Sequence, residues 1–410
     1  MTTIPIIELD NYQYILPPER IAQFPLEQRD QSKLLYFNKT SNDIQHHIFT
    51  ELPEILPLES ILIRNTTKVV PVRIFLQKET GGTVELFLVN PHLRMNDIGE
   101  STIECMLRGK NMKPGDILKG IYGENESQLV LQAEILEKSS SIQTILLSWS
   151  QKEKSFSEII WSIGSMPLPP YMKRKTIKED IERYQTVYAE QEGSVAAPTA
   201  GLHFTAEVLE NIKKKEIPIV DLMLHVGMGT FKPIETVTID SHQMHAESLE
   251  VTIESIQNIV EFLFTNKKII CVGTTSVRTI ESLYWFGVRL YFSDRNCQEN
   301  SNFYIDQWDP YRITHEHNCL PSPFIAMKTI LEWMKKYSLN SIIGETALII
   351  IPGYEWKIVE GMITNFHQPG STLMLLVASF MGDGWKKVYE TALKDSYRFL
   401  SYGDSSLLLR

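Results

Sequence analysis

The sequence predicts an α/β fold, a layered α/β domain interrupted by a small inserted β domain. Two patterns predict it. After residue 161, strand-like and helix-like segments alternate, as in layered α/β architectures. Between 68 and 150 the chain instead carries six short β-branched runs separated by turn residues, the pattern of a small barrel or sandwich. One strand-like run, Ser60-Ile-Leu-Ile63, precedes the β-rich block, so that block reads as an insertion. The division is 1–67 and 151–410 for the α/β part and 68–150 for the insert.

The elements follow in order. VVPVRIFL, TVELFLVN, STIECMLRG, DILKGIYG, SQLVLQAEIL and SIQTILLSW supply the six runs, with Gly81-Gly82, Pro114-Gly115-Asp116 and Gly123 between them. Thr205 is placed to N-cap a helix carrying Val208, Leu209 and Ile212, and Pro218 lies beyond its end. A strand is expected over 217–226, and Ile256, Ile259, Val260 and Leu263 have helical spacing. A strand over 268–272 turns through Gly-Thr-Thr into a helix over 276–286, with Gly287 suited to the position just past its end. A strand over 357–364 leads through Pro369-Gly370 to a helix capped by Ser371 and apolar on nearly every side, hence buried. Residues 288–345 show no clean period before one helix-like run at 324–334, and read as an elaboration of the α/β domain.

Composition narrows the function. The 410 residues are 43% hydrophobic and 22% charged, which excludes a disordered or collagenous chain. The net charge of −10 excludes a generic nucleic-acid coat, so any RNA contact rests on a local basic patch. Cys105, Cys271, Cys297 and Cys319 are widely spread with no CxxC pair, against a disulfide framework or a four-thiolate zinc site. No run reaches about 18 apolar residues, and the N-terminus lacks a signal-peptide pattern. A protein of the reducing cytoplasm, away from membranes, is expected.

Candidate chemistry clusters at strand ends. The loop 193–205 is rich in small residues and holds one titratable side chain, His203. HVGMGTFKP (225–233) follows a strand, but lacks the third glycine of a dinucleotide fingerprint. His242 and His245 would share a helical face and could ligate a metal, without the HExxH spacing. VGTTSVRTIES (272–282) turns a strand into a helix whose free N–H groups suit an anion. Arg278 and Glu281 fall on a helix face separate from Val277, Ile280 and Tyr284. TNFHQPGST (364–372) repeats the strand, loop and capped helix, and YRFLSYGD (397–404) adds a last polar turn. In open α/β sheets, ligands bind beyond the carboxyl ends of strands. These turns therefore suggest one cleft for a polar molecule with anionic and hydroxyl groups.

Together the segments resemble the S-adenosylmethionine:tRNA ribosyltransferase-isomerase family of queuosine biosynthesis. YQTVYAEQEGSVAAPTAGLHFT (184–205), HVGMGTFKP (225–233), HQMHAE (242–247), VGTTSVRTIES (272–282), IPGY (351–354), ITNFHQPGSTLMLLVASFMG (363–382) and YRFLSYGD (397–404) carry the likeness. IAQFPLEQRDQSKLL (21–35), NTTKVVPVRI (65–74), GGTVELFLV (81–89) and IGSMPLPPY (163–171) add to it. The chain departs from the family pattern at Gln368, where Leu is usual, at Ser405-Ser406 and at Lys68, and is longer over 288–345.

The resemblance implies an α/β domain with an inserted small β-barrel. It also implies transfer and isomerisation of the ribosyl part of S-adenosylmethionine onto 7-aminomethyl-7-deazaguanine at the tRNA wobble position, with adenine and methionine released and epoxyqueuosine formed. No cofactor or metal is then needed beyond S-adenosylmethionine as donor substrate. The implied chemistry needs a base for the ribose 5′ carbon beside the sulfonium, for which His203, His367, Glu281 and Asp404 are the candidates. Arg278 with the turn at Thr274, Thr275 and Ser276 would hold the methionine carboxylate. Asn365, Thr230 and Tyr402 would orient ribose or base, and Thr199 and His225 complete the substrate-binding set. The tRNA would meet the basic stretch of Lys173, Arg174, Lys175, Lys178 and Arg183, and Lys110 and Lys113 on the barrel. Two other classes stay open: a metal hydrolase using His225, His242 and His245, and an RNA- or nucleoside-binding paralogue without this activity.

Overall fold

The computed structural model describes residues 7–124, 128–139, 142–227, 234, 236, 238–293 and 303–410. Among these, ten strands form one mixed sheet in the order Phe303–Ile305, Ser341–Thr346, Glu247–Thr252, Ile219–Leu224, Ser60–Asn65, Lys268–Val272, Val359–Asn365, Ser405–Leu409, Lys33–Asn38 and Asp43–Ile48. The four strands from Ile219–Leu224 to Val359–Asn365 run parallel. Both faces of this centre are covered, so apolar residues alternate between two cores rather than between core and water. Ile61, Ile63, Ile269, Cys271 and Met362 pack into one core, beneath the helices Gly273–Phe292, Pro323–Lys336 and Thr372–Met381. Leu62, Ile270, Ile363 and Leu407 pack into the other, against Val208 and Ile212 of the helix Ala206–Lys214.

The six β-rich runs form a closed antiparallel barrel with strands Arg73–Lys78, Thr83–Leu88, Glu100–Arg108, Ile117–Tyr122, Leu129–Lys138 and Gln143–Trp149. Alternate residues such as Ile74, Leu76, Val84, Leu86, Leu131, Ala133, Ile145 and Leu147 fill its interior. The helix Phe156–Ile163 closes onto this barrel, adding Phe156, Ile159 and Ile160 to its core. It begins with a capping box, in which Ser155 and Glu158 satisfy each other's backbone N–H.

Two local expectations hold and one changes. Thr205 and Ser371 cap their helices, accepting from the N–H of Val208 and Met374. Gly287, however, does not end its helix, which runs on to Phe292. A Cβ there would stand 2.3 Å from the carbonyl oxygen of Ala326, so this glycine lets the helix Pro323–Lys336 cross at close range. Within the segment 288–345, the chain joins the edge of the large sheet. The described part of this segment supplies two strands, Phe303–Ile305 and Ser341–Thr346, and the expected helix, at Pro323–Lys336. Among the described residues, no helix is long and apolar enough to cross a membrane.

Candidate active site

The carboxyl ends of the central parallel strands open onto one cleft. Val226 follows the strand Ile219–Leu224, 273–275 follow Lys268–Val272, Thr364 and Asn365 end Val359–Asn365, and His367 and Gln368 follow it. The small-residue loop 197–200 forms one wall, and Leu400 and Ser401 another. Tyr171, from the segment leading out of the barrel, lies 2.5 Å from Ser401 through its hydroxyl. The helix Gly273–Phe292 starts at the cleft with Gly273 at φ +85°, a conformation natural to glycine. Its unpaired first-turn N–H groups and positive dipole end therefore face the cavity.

Of the expected site residues, Thr199, Thr274, Thr275, Asn365 and His367 line this cleft. Asn365 is 2% exposed; its Nδ2 donates to Leu400 O at 3.1 Å and to His203 Nε2 at 3.2 Å. Its Oδ1 and the hydroxyl of Thr275 are buried with no hydrogen-bond partner among the described residues. Such unmet groups are costly unless something binds them. His367 Nε2 lies 2.8 Å from Thr364 Oγ1, while burial lowers its pKa to about 4, so the ring is neutral and able to accept a proton at neutral pH.

His203 stands one layer behind. Its ring lies between Asn365 and Ser32 Oγ, the latter 2.8 Å from Nδ1. Burial, with Arg398 and Arg29 nearby, lowers its pKa to about 3. It therefore orients Asn365 and does not itself line the cleft. Ser276 is buried and donates its hydroxyl to Val272 O at 2.8 Å, so only its place in the first helical turn serves the site.

Other expected residues are turned to internal tasks. Arg278 is 4% exposed and pairs with Glu247, donating also to Leu348 O and Thr346 O; it points away from the cleft and cannot reach an anion there. Glu247 further accepts from Gly227 N and lies 3.2 Å from His245 Nε2, so HQMHAE and VGTTSVR are joined by this buried pair. Glu281 is fully buried and accepts from the hydroxyl of Tyr354 and the N–H groups of Lys357, Ile358 and Val359. Burial outweighs these bonds and raises its pKa, but the carboxylate pins the segment before the strand Val359–Asn365 and does not face the cleft. Asp404 accepts from Lys33 N and Arg398 N, tying the last polar turn to the strand Lys33–Asn38. Tyr402 donates to Asp180 Oδ1 at 3.2 Å and is buried away from the cleft. Thr230 lies outside the described residues.

His225 belongs to the junction of sheet and barrel. Its Nδ1 is 3.0 Å from Thr67 Oγ1, its ring stacks on His92 at 4.4 Å, and burial beside His92 lowers its pKa to about 3. Gly193, at φ +142°, admits this stack: a Cβ there would meet His92 Cβ at 2.3 Å. No group of three or more His, Cys, Asp or Glu side chains positioned for a metal occurs among the described residues.

On the surface, Lys173, Lys175 and Lys178 are exposed, as are Lys110 and Lys113 in a groove of the barrel with Lys78. Arg174 is instead held bidentately by Asp180 at 2.7 and 2.8 Å, and Arg183 donates to Leu26 O and Glu27 O. Sequence reasoning missed Tyr171, Gln368, Ser371 and Ser401 as cleft residues, although each lies inside a quoted motif.

The fold and cleft define an α/β protein whose cleft beyond the ends of its parallel strands is suited to a small polar ligand, with a barrel set into the chain. A family model described as queuosine biosynthesis protein matches residues 9–318 and 325–408. The S-adenosylmethionine:tRNA ribosyltransferase-isomerase of Fusobacterium nucleatum is 39% identical over 402 residues, covering 98% of this chain and 96% of that one. The protein of the same name from Desulfitobacterium hafniense is 35% identical over 405 residues, covering 98% and 100%. The crystal structure of the S-adenosylmethionine tRNA ribosyltransferase from Thermotoga maritima is 27% identical, covers 97% of this chain and 99% of that one, and has a TM-score of 0.47. The chain belongs to this queuosine biosynthesis family.

Proposed function

We propose that the protein is an S-adenosylmethionine:tRNA ribosyltransferase-isomerase. It moves the ribosyl unit of S-adenosylmethionine to the aminomethyl group of 7-aminomethyl-7-deazaguanine in tRNA, isomerises it, and releases adenine and methionine. The observation that carries this reading is the gathering of 197–200, 273–275 and 364–371 around one cleft with buried, unmet polar atoms. As an enzyme of tRNA, it works in the cytoplasm.

The first turn of the helix Gly273–Phe292 receives the methionine carboxylate through its N–H groups. Asn365 Oδ1 and the Thr275 hydroxyl take hydroxyl or amino donors of the nucleoside. His367 removes the proton beside the sulfonium. Thr364 Oγ1 donates to Asn365 O at 3.3 Å and so receives the Nε2–H of His367, leaving Nδ1 as the basic nitrogen. Exposed Lys173, Lys175, Lys178, Lys110 and Lys113 hold the RNA backbone.

The test is adenine release from S-adenosylmethionine with tRNA bearing 7-aminomethyl-7-deazaguanine. Adenine formed in proportion to modified tRNA is expected. Tight tRNA binding without adenine would overturn the activity and leave an RNA-binding role.

A further inference from the structure

Phe24 is a large aromatic side chain that remains 53% exposed. It is nonetheless held firmly. The Arg174 guanidinium lies over the ring at 4.3 Å from its centre. That guanidinium is fixed in turn by two bonds to Asp180, by Nε donating to Gln23 O at 2.7 Å, and by Nη1 donating to Lys175 O at 3.1 Å. Arg174 thus has four of its five N–H donors committed inside the protein, and its planar face backs one face of Phe24.

The platform is coupled to the cleft. Gln23, next in the chain, donates from Nε2 to the carbonyl oxygen of Tyr171 at 3.3 Å and accepts from Lys173 N at 2.9 Å. Tyr171 lines the cleft. Exposed Lys173, Lys175 and Lys178 follow directly in the chain. A fixed, exposed aromatic face with free ammonium groups beside it is the arrangement by which proteins hold unstacked bases of single-stranded RNA.

We propose that Phe24, backed by Arg174, stacks against an unpaired tRNA base and so holds the loop whose modified neighbour enters the cleft. This rests on the tRNA reading above and adds the contact by which the loop is gripped. Phe24 is a positioning residue here, since it touches the RNA outside the reacting atoms.

The test uses the full-length protein with Phe24→Ala and Phe24→Trp, and a tRNA anticodon stem-loop carrying 2-aminopurine at each loop position in turn. Stacking predicts that Phe24→Ala weakens stem-loop binding about tenfold or more, that Phe24→Trp keeps or tightens it, and that one 2-aminopurine position is quenched by wild type and not by Phe24→Ala. Affinity for S-adenosylmethionine stays unchanged in both variants. Wild-type stem-loop affinity in Phe24→Ala would overturn the proposal. So would equal losses in both variants accompanied by lost donor binding, which would mark a folding role. Binding is read without turnover, so a failure of adenine release in the wild type would count against the enzymatic reading and not against this contact.

Discussion

Asn365 Nδ2 donates to His203 Nε2 at 3.2 Å and to Leu400 O at 3.1 Å, and these two bonds fix which way the Asn365 amide faces. With Nε2 accepting, the His203 proton sits on Nδ1 and is donated to Ser32. The acceptor oxygen of Asn365 is thereby presented without a partner among the described residues. His203→Ala removes one of the two bonds that hold the amide and leaves the one to Leu400 O, so affinity for S-adenosylmethionine should fall by at most about fivefold, the value of one hydrogen bond near 1 kcal/mol. Calorimetric titration of the donor checks this, and an unchanged dissociation constant would show that the amide is held without His203.

Among the described residues, His367 is the one histidine at the cleft wall with a basic nitrogen to offer. Replacing it with Ala should lower the rate of adenine release about 10²- to 10⁴-fold while donor binding shifts little. With its pKa near 4, the ring is unprotonated above about pH 5. The histidine should therefore cause no loss of rate down to that range, and a further fall should appear as pH drops through about 4. A climb between pH 6 and 8 steeper than deprotonation of the acceptor amine accounts for would argue for another base.

His203 and His225 both have folded-state pKa values near 3, below the ordinary 6.5. The unfolded chain then binds more protons between about pH 3 and 6.5, so stability is full above 6.5 and declines as pH falls through that window. At pH 5 the loss is about 2 kcal/mol for each residue. Urea midpoints measured from pH 8 to pH 5 should drop accordingly, and His225→Asn should flatten the decline.

Arg278→Ala leaves Glu247 buried without its cation, which costs about 3–5 kcal/mol. The variant should melt well below wild type yet keep a near-normal KM for S-adenosylmethionine in its folded fraction. A normal melting temperature with a sharply raised KM would instead return Arg278 to the binding site.

Exchanging Lys173, Lys175 and Lys178 for Ala should weaken tRNA binding and flatten its dependence on salt. Each lost phosphate contact on a single strand reduces the slope of log K against log salt by about 0.7. Filter binding between 50 and 200 mM salt reads the slope directly, and an unaltered slope would place the RNA elsewhere.

Most of the scaffold was legible because burial on both sheet faces leaves short runs such as Lys268–Val272 between clear caps and turns. The cleft loops were legible too, since small and polar residues follow each central strand. Arg278 and Glu281 were not. Their spacing suggested a free helix face, but the helix is buried all round as far as Val288. Their partners, Glu247 and the segment 354–359, arrive from distant parts of the chain that local spacing cannot reveal. Gly287 misled for a related reason, because a glycine admitting a crossing helix looks like one ending its own. Phe303–Ile305 is too short for any period to show. Tyr171 and Ser401 were passed over because hydroxyls leave no titratable signal, though the motifs containing them could have flagged them.

The strand Ser405–Leu409 lies between Val359–Asn365 and Lys33–Asn38, with Leu34 opposite Ser405. Joining those two positions closes a loop that contains nearly the whole molecule, including a barrel built from neighbouring hairpins. Such distant pairing is slow to form, whereas hairpins assemble quickly. Refolding should therefore proceed in two phases, the barrel consolidating early and catalytic competence arriving only with that last stitch.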